Sequence, residues 1–141
     1  PPLDKDVEEV VRAYFRGFER EDREALAALL TQDATPLGRA GSRQQLIDIF
    51  TVKMRSYEYQ KLAGTQIARI AQIEKRTYDS FAAPGAPSRP PTMRAGDLYV
   101  RVPVILPRVG GEQLFGDVVV FLLRREDGRL KIAGEADETG N

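Results

Sequence analysis

Residues 7–18 read Val-Glu-Glu-Val-Val-Arg-Ala-Tyr-Phe-Arg-Gly-Phe. Their apolar side chains recur with the three- and four-residue spacing of one helix face, at Val7, Val10, Val11, Tyr14, Phe15 and Phe18. Acidic residues crowd the first turn, where carboxylates interact favourably with the positive end of a helix dipole. The segment therefore predicts an amphipathic first helix with a broad buried side.

Two more helices are predicted before residue 56. Asp22 is a plausible N-cap for a second helix, whose apolar positions are Leu26, Leu29 and Leu30. A single helix with a sharp bend stays open as the alternative to two consecutive helices. Residues 35–38 contain Pro and Gly and indicate a break. Ser42 and Gln45 have the spacing of a capping box and open a third helix. Its buried stripe is expected to be Leu46, Ile47, Phe50 and Met54.

The remaining chain is predicted to be mostly strand. Residues 57–62 alternate and are rich in aromatic side chains, which favours a strand. Residues 65–81 carry isoleucines at helical spacing, so a helix stays open over 65–77, although the β-branched residues favour a strand with a bulge. Residues 82–96 hold four prolines and predict a long exposed loop within a single domain covering residues 1–141.

The last third predicts three strands joined by tight turns. Residues 98–106 alternate on one face, and Pro103 predicts an edge or a bulge there. Residues 114–123 are apolar on both faces, as expected for a central strand. A turn at residues 110–111 precedes that strand, and an Asp-Gly turn at 127–128 leads to a final strand over 130–134.

The composition excludes several classes of function. The 141 residues include no Cys and no His, which removes disulfides, thiolate nucleophiles, histidine bases and most zinc sites. Basic and acidic residues number 21 each, so nucleic acid is not expected as a partner. No apolar run approaches the roughly 20 residues that span a bilayer. We expect no cofactor and no metal, and two compartments stay open: the cytoplasm, or the cell envelope after removal of a leader.

The order of elements and the first third of the chain resemble a known superfamily. The residues that carry the resemblance are 10–14 (Val-Val-Arg-Ala-Tyr), 21–26 (Glu-Asp-Arg-Glu-Ala-Leu) and 29–34 (Leu-Leu-Thr-Gln-Asp-Ala). They look like the opening of the nuclear transport factor two-like, or cystatin-like, group, which includes ketosteroid isomerases, polyketide-cyclase-like enzymes and non-catalytic members. The resemblance implies an α+β cone, three N-terminal helices packed in the concave face of a curved antiparallel sheet of five strands.

The resemblance also allows the isomerase residues to be compared position by position. The tyrosine on the first helix is matched by Tyr14. Gly38 stands where the general base is expected, and Val119 or Val120 stands where the neutral, oxyanion-binding acid is expected. Asp33 and Asp117 are weak catalytic candidates beside Tyr14, and Asp48 is a further carboxylate within the same hypothesis. Without a base, Tyr14 alone cannot run an enolisation.

Two functions follow as expectations. The first is a non-catalytic binding or interaction domain with an apolar pocket, which takes a small apolar ligand or forms a homodimer through the outer sheet face. The expected lining is Tyr14, Phe18, Phe50, Val100, Val102, Val120 and Phe121. The alternative is a small-molecule isomerase or cyclase that uses Tyr14 with an aspartate. The acids near the end, Glu135, Asp137 and Glu138, are interpreted as a solvated terminus.

Overall fold

The computed structural model describes residues 2–139. Its α-helices are α1 (Asp4–Glu19), α2 (Arg23–Ala28) and α3 (Arg43–Ser56). Its strands are β1 (Leu30–Pro36), β2 (Glu74–Thr77), β3 (Leu98–Pro103), β4 (Arg108–Val109), β5 (Glu112–Gln113), β6 (Val118–Glu126) and β7 (Arg129–Glu138). Short 3-10 helices cover Tyr59–Leu62, Ile70–Gln72 and Asp79–Ala82. The predicted starts of α2 and α3 are confirmed, because Asp22 accepts the Ala25 N–H and Ser42 with Gln45 forms a capping box.

Five strands form one sheet in the order β1-β7-β6-β3-β2, while β4 and β5 form a separate hairpin. The helices pack against one face of this sheet, where the apolar sides of α1 and α3 share a core with inward residues of β3, β6 and β7. Burial of these apolar side chains is the main favourable contribution to folding. The predicted α+β class, with helices in the concave face, is confirmed.

One strand was not expected. Residues 30–36 form β1, which runs parallel to β7 with Leu30 opposite Ile132 and Thr35 opposite Gly134. The sequence predicts a purely antiparallel sheet with all helices first, whereas the observed sheet is mixed and β1 precedes α3. Leucines at helical spacing suggested a longer second helix, but α2 ends at Ala28. Residues 30–36 form a strand because they pair with β7, which lies about a hundred residues away in the sequence. No local pattern reveals this pairing.

The strand predicted at residues 57–62 is wrong. Tyr59–Leu62 is a 3-10 helix, in which the two end residues are buried. The Tyr59 hydroxyl donates to the carbonyl of Leu114 at 2.8 Å, so burial of its ring and satisfaction of its polar tip decide the local conformation. Over residues 65–81 the strand prediction holds only for Glu74–Thr77, because Ile70–Gln72 and Asp79–Ala82 are 3-10 helices.

The central position of β6 is confirmed. It lies between β7 and β3, and residues 119–123 are buried on both faces. The edge expected from Pro103 is wrong, because β3 lies between β6 and β2. Pro103 is tolerated there as the last residue of its strand. The predicted turns are confirmed, with Asp127 and Gly128 both at positive φ, as a two-residue hairpin connection requires.

The Pro-rich segment covers part of the outer sheet face. Residues 83–97 contain no helix or strand, in agreement with the predicted loop. Phe81 lies just before this segment, and Met93 lies within it. Both pack with Leu122 and Ala133 in a second apolar cluster, which is separate from the main core. Because Leu122 alternates with core-facing neighbours, this cluster lies on the opposite face of the sheet.

An ion pair clamps the same segment to the sheet. Arg124 of β6 donates to both carboxylate oxygens of Asp97, at 2.9 and 2.6 Å, and to the carbonyl of Thr92 at 3.1 Å. The Asp97 side chain is 3% exposed and that of Arg124 is 14% exposed. A bidentate pair of this kind fixes geometry as well as charge. Asp33 also contacts Arg124, at 3.4 Å.

We expect Asp97→Asn to lower the free energy of unfolding by about 2 kcal/mol, because it leaves the Arg124 guanidinium partly buried beside an amide. Limited proteolysis should then cut within residues 83–97 faster than in the wild type. Asp79→Asn, at an exposed aspartate of the neighbouring segment, is the control. Equal cleavage rates in both variants would show that the pair does not hold the segment in place.

Candidate functional site

Tyr14 lies at the centre of the main core. Its side chain is fully buried, and α1 places it against the concave face of the sheet. The rings that surround it, with centroids 4.8–6.4 Å away, belong to Phe15, Phe18, Phe50, Phe115 and Phe121. Most of these pairs are edge-to-face, which is a favourable arrangement for aromatic rings. A polar tyrosine tip in such surroundings needs a hydrogen-bond partner.

Glu135 of β7 is that partner. The Tyr14 hydroxyl donates to Oε2 of Glu135, and both side chains are buried. Glu135 is 3% exposed, which is exceptional for a carboxylate. The helix thus supplies the donor and the sheet supplies the acceptor of one buried polar pair.

A bulge in β7 points Glu135 inward. Leu123 pairs with Ile132 but Leu122 pairs with Gly134, so Ala133 is an extra residue in β7. Beyond this bulge Glu135 lies opposite Phe121 and shares its inward face. In an unbroken register, Glu135 would lie opposite Val120 instead, and Gly134 would face the rings, because side chains alternate between the two faces.

The surroundings of Glu135 change its acidity. Burial raises the pKa of Glu135 to about 7; the positive charge of Lys53 and the Tyr14 donor oppose this rise, and the negative charge of Asp137 adds to it. Burial and the neighbouring Glu135 likewise hold the pKa of Tyr14 well above its usual range. Glu135 therefore changes protonation near neutral pH, while Tyr14 stays a neutral donor.

An ion pair lies between this interior and the solvent. The Lys53 ammonium of α3 lies 2.7 Å from Oδ2 of Asp137, the next inward residue of β7. The two side chains are 16% and 30% exposed. The ammonium also lies 4.6 Å from the ring centre of Phe115 and 4.9 Å from that of Phe18, which are cation–π distances. We call Lys53, Asp137, Phe18 and Phe115 the ammonium cluster.

The aspartates predicted beside Tyr14 lie elsewhere. Asp33 on β1 pairs with Arg94 at 2.7 Å. Burial raises the pKa of Asp33, but a hydrogen bond from Thr31 and the charges of Arg124 and Arg94 outweigh burial and lower it. Asp117 lies 3.8 Å from Arg108, and Asp48 accepts from Gln44 at 2.9 Å. Gly38 is in a turn at positive φ. The structure brings none of these aspartates to the Tyr14 hydroxyl.

The residues predicted to line a pocket are all buried. Six of them belong to the main core, namely Tyr14, Phe18, Phe50, Val100, Val102 and Phe121, while Val120 is on the outward side of β6. None of them lines the five surface cavities characterised over residues 2–139. Their role as a pocket lining stays a prediction.

The interpretation of the three C-terminal acids as a solvated end is wrong. Glu135 is buried, Asp137 pairs with Lys53, and Glu138 pairs with Arg101 at 2.5 Å. Sequence reasoning missed Glu135 because Ile132 faces inward, so strict alternation along β7 would turn Glu135 outward. Only the bulge at Ala133 turns it inward. The available signal was the small pair Ala133 and Gly134, since glycine within a strand often marks a bulge or a close approach. Gly134 is indeed close to Leu37, so a Cβ there would lie 2.6 Å from Cδ2 of that side chain.

Other binding chemistries find little support among the described residues. Within residues 2–139, no group of three or more acidic side chains is arranged to hold a metal ion. In the same range, no helix is long and apolar enough to cross a bilayer. Every buried side-chain nitrogen and oxygen there has a hydrogen-bond partner.

Comparison with known proteins gives structural matches only. No protein-family model matches the sequence, and no curated protein matches it. A solved structure from Caulobacter vibrioides, an uncharacterised protein with a cystatin-like fold, has a TM-score of 0.54 and 13% identity, and the match covers 97% of this chain and 89% of that one. The chain has the cystatin-like fold.

Two further solved structures agree with this fold. A Xanthomonas campestris protein, assigned as a calcium/calmodulin-dependent protein kinase II association domain, has a TM-score of 0.56 and 11% identity over 99% of this chain and 89% of that one. A chain named Rd1NTF2_05, with five substitutions, has a TM-score of 0.51 and 10% identity over 92% of this chain and 93% of that one. At these identities the cystatin-like chain shares a fold with them, and its function has to be argued from its own residues.

Proposed function

We propose that this chain is a non-catalytic binding domain that uses its outer surface rather than a deep reaction pocket. The observation that carries the proposal is the packing around Tyr14. Five phenylalanine rings enclose it, and its hydroxyl is already engaged by Glu135. A reacting molecule would need space beside the donor and the acid, and that space is filled by side chains of the protein itself.

The solved structure from Xanthomonas campestris supports an interaction role by analogy only, since it is assigned as an association domain. A homodimer through the outer sheet face and a small apolar ligand both stay predictions. The amounts of positive and negative charge are equal, which fits neutral or locally complementary partners better than strongly charged polymers.

A second candidate is an acid–base enzyme that uses Tyr14 with Glu135 in place of an aspartate. The observation in its favour is the raised pKa of Glu135, about 7, in contact with a tyrosine donor. Perturbed carboxyls of this kind are common in active sites, although buried structural pairs show them too. The complete burial of the Tyr14 side chain weighs against it, because its hydroxyl is not exposed to a substrate.

One experiment separates the two candidates. Small ketones and a ketosteroid are incubated with the protein in D2O, and exchange of the protons next to the carbonyl is followed by NMR. We expect exchange at the buffer rate for the wild type, Tyr14→Phe and Glu135→Gln alike. If the wild type accelerates exchange by tenfold or more and both variants abolish the acceleration, the chain is an enzyme and the non-catalytic proposal is wrong.

A further inference from the structure

The ammonium cluster has the composition of a binding site for an organic cation. One carboxylate, that of Asp137, contacts the Lys53 ammonium directly, at 2.7 Å. Two aromatic rings lie within 5 Å of the same nitrogen. The combination of a carboxylate with ring faces recognises alkylammonium groups, because it supplies both a charge-assisted hydrogen bond and the negative faces of the ring quadrupoles.

The occupant of this site is a side chain of the chain itself. Lys53 comes from α3, whereas Asp137 comes from β7, Phe18 from α1 and Phe115 from the connection before β6. The receptor groups are therefore built by three separate parts of the fold, none of which is the helix that carries Lys53. Only the ammonium and its stem are contributed by the third helix.

A second carboxyl lies close to this point. Lys53 acts electrostatically on Glu135, which lies deeper in the interior, and Asp137 acts on it as well. Among these contacts of the described residues, Lys53 is the only cation beside Asp137 and Glu135. Removal of its ammonium would leave two acids and two ring faces without a positive group.

We propose that the ammonium cluster is a binding site for primary alkylammonium ions, which in this chain is kept filled by the tethered side chain of Lys53. This inference goes beyond the proposed function, because it concerns a site that the wild-type chain fills with its own side chain. The side chain of Lys53 beyond Cβ is a propylammonium group, so n-propylammonium matches the part that a truncation to alanine removes. The wild type takes up such an amine only where it displaces Lys53, and the tether disfavours that exchange.

The test is chemical complementation of Lys53→Ala. We expect n-propylamine, at neutral pH and constant ionic strength, to raise the Tm of Lys53→Ala by a few degrees with a roughly millimolar midpoint, as befits a ligand of four heavy atoms. The wild type should show no shift over the same range. 1-Propanol, which has the same size but no charge, should leave the Tm of the variant unchanged.

Two variants distinguish the site from a general effect of amines. Lys53→Met keeps most of the stem and fills its path, so it should not respond to the amine. Lys53→Ala combined with Asp137→Asn should lose at least tenfold in apparent affinity, because the direct partner of the ammonium is then neutral. Equal responses in all of these variants would overturn the proposal.

The test also gives a clear result if the truncation of Lys53 to alanine impairs folding. Lys53→Ser is the second truncation, and for a variant that does not fold, refolding with and without n-propylamine replaces the Tm measurement. If the amine neither raises the Tm nor restores folding in either truncation, no such site exists. That failure would leave the D2O exchange result untouched, so the non-catalytic proposal and the ammonium site are judged by separate measurements.

Discussion

At pH 8 the Glu135→Gln variant is expected to be more stable than the wild type, whereas at pH 5 the two should differ by less than about 1 kcal/mol. Burial raises the pKa of Glu135 from 4.5 to about 7, so the folded chain favours the neutral carboxyl. A carboxyl with a raised folded-state pKa contributes stability that is fully present below pH 4.5 and is lost as the pH rises through 7.

The expected size follows from the same shift. Between pH 5 and pH 8 the wild type should lose about 2–3 kcal/mol of unfolding free energy through this group, and Glu135→Gln should not. Glutamine keeps an acceptor for the Tyr14 hydroxyl, so the variant removes the charge and retains the hydrogen bond. Lys53 and Asp137 face the same carboxyl, and both remain in the variant.

Urea unfolding at a series of pH values measures this effect. Glu138→Gln is the matched control, because Glu138 lies on the same strand but pairs with Arg101 on the outer face. It should follow the wild-type dependence on pH. An identical slope for the wild type and Glu135→Gln would mean that Glu135 does not titrate near neutral pH in the folded chain.

Phe50→Ala is expected to cost about 3–5 kcal/mol of unfolding free energy and to create a cavity that binds benzene. Phe50 is 1% exposed, and its ring centre lies 5.8 Å from that of Tyr14 and 5.6 Å from that of Phe18. Both of these rings belong to α1 and also pack against Phe115, so we expect them not to fill the void. An apolar void of this kind stays dry and accepts an apolar ligand of matching size.

Thermal unfolding with and without saturating benzene measures both parts of the prediction. The Tm of Phe50→Ala should rise with benzene, while that of the wild type should not. Val52→Ala, on the same helix but 65% exposed, should change stability by less than about 0.5 kcal/mol and should not respond. A benzene response in the wild type would instead support the predicted apolar pocket.

The elements that could be read from the sequence are those with local signals. The apolar period of α1, the caps of α2 and α3 and the Asp-Gly hairpin are contained within a few residues each. The resemblance of residues 10–34 supplied the arrangement of helices on a sheet, and the structural comparisons agree with it.

The features that could not be read depend on distant pairing. β1 is a strand because it lies beside β7, and Tyr59 joins a 3-10 helix because its ring and hydroxyl find partners near residue 115. For the candidate site, sequence reasoning selected Tyr14 but not Glu135. A one-residue bulge decides which face a side chain takes, and periodicity alone does not reveal it.

The clamped Pro-rich segment has a consequence for self-association. Because it is part of the same chain, the segment competes for the outer face of β6 and β7 at an effective concentration on the order of millimolar. A second copy in dilute solution can displace it only by offering contacts far stronger than those of Phe81 and Met93. The Arg124–Asp97 pair therefore opposes assembly through this part of the sheet, and weakening that pair should favour self-association through this face.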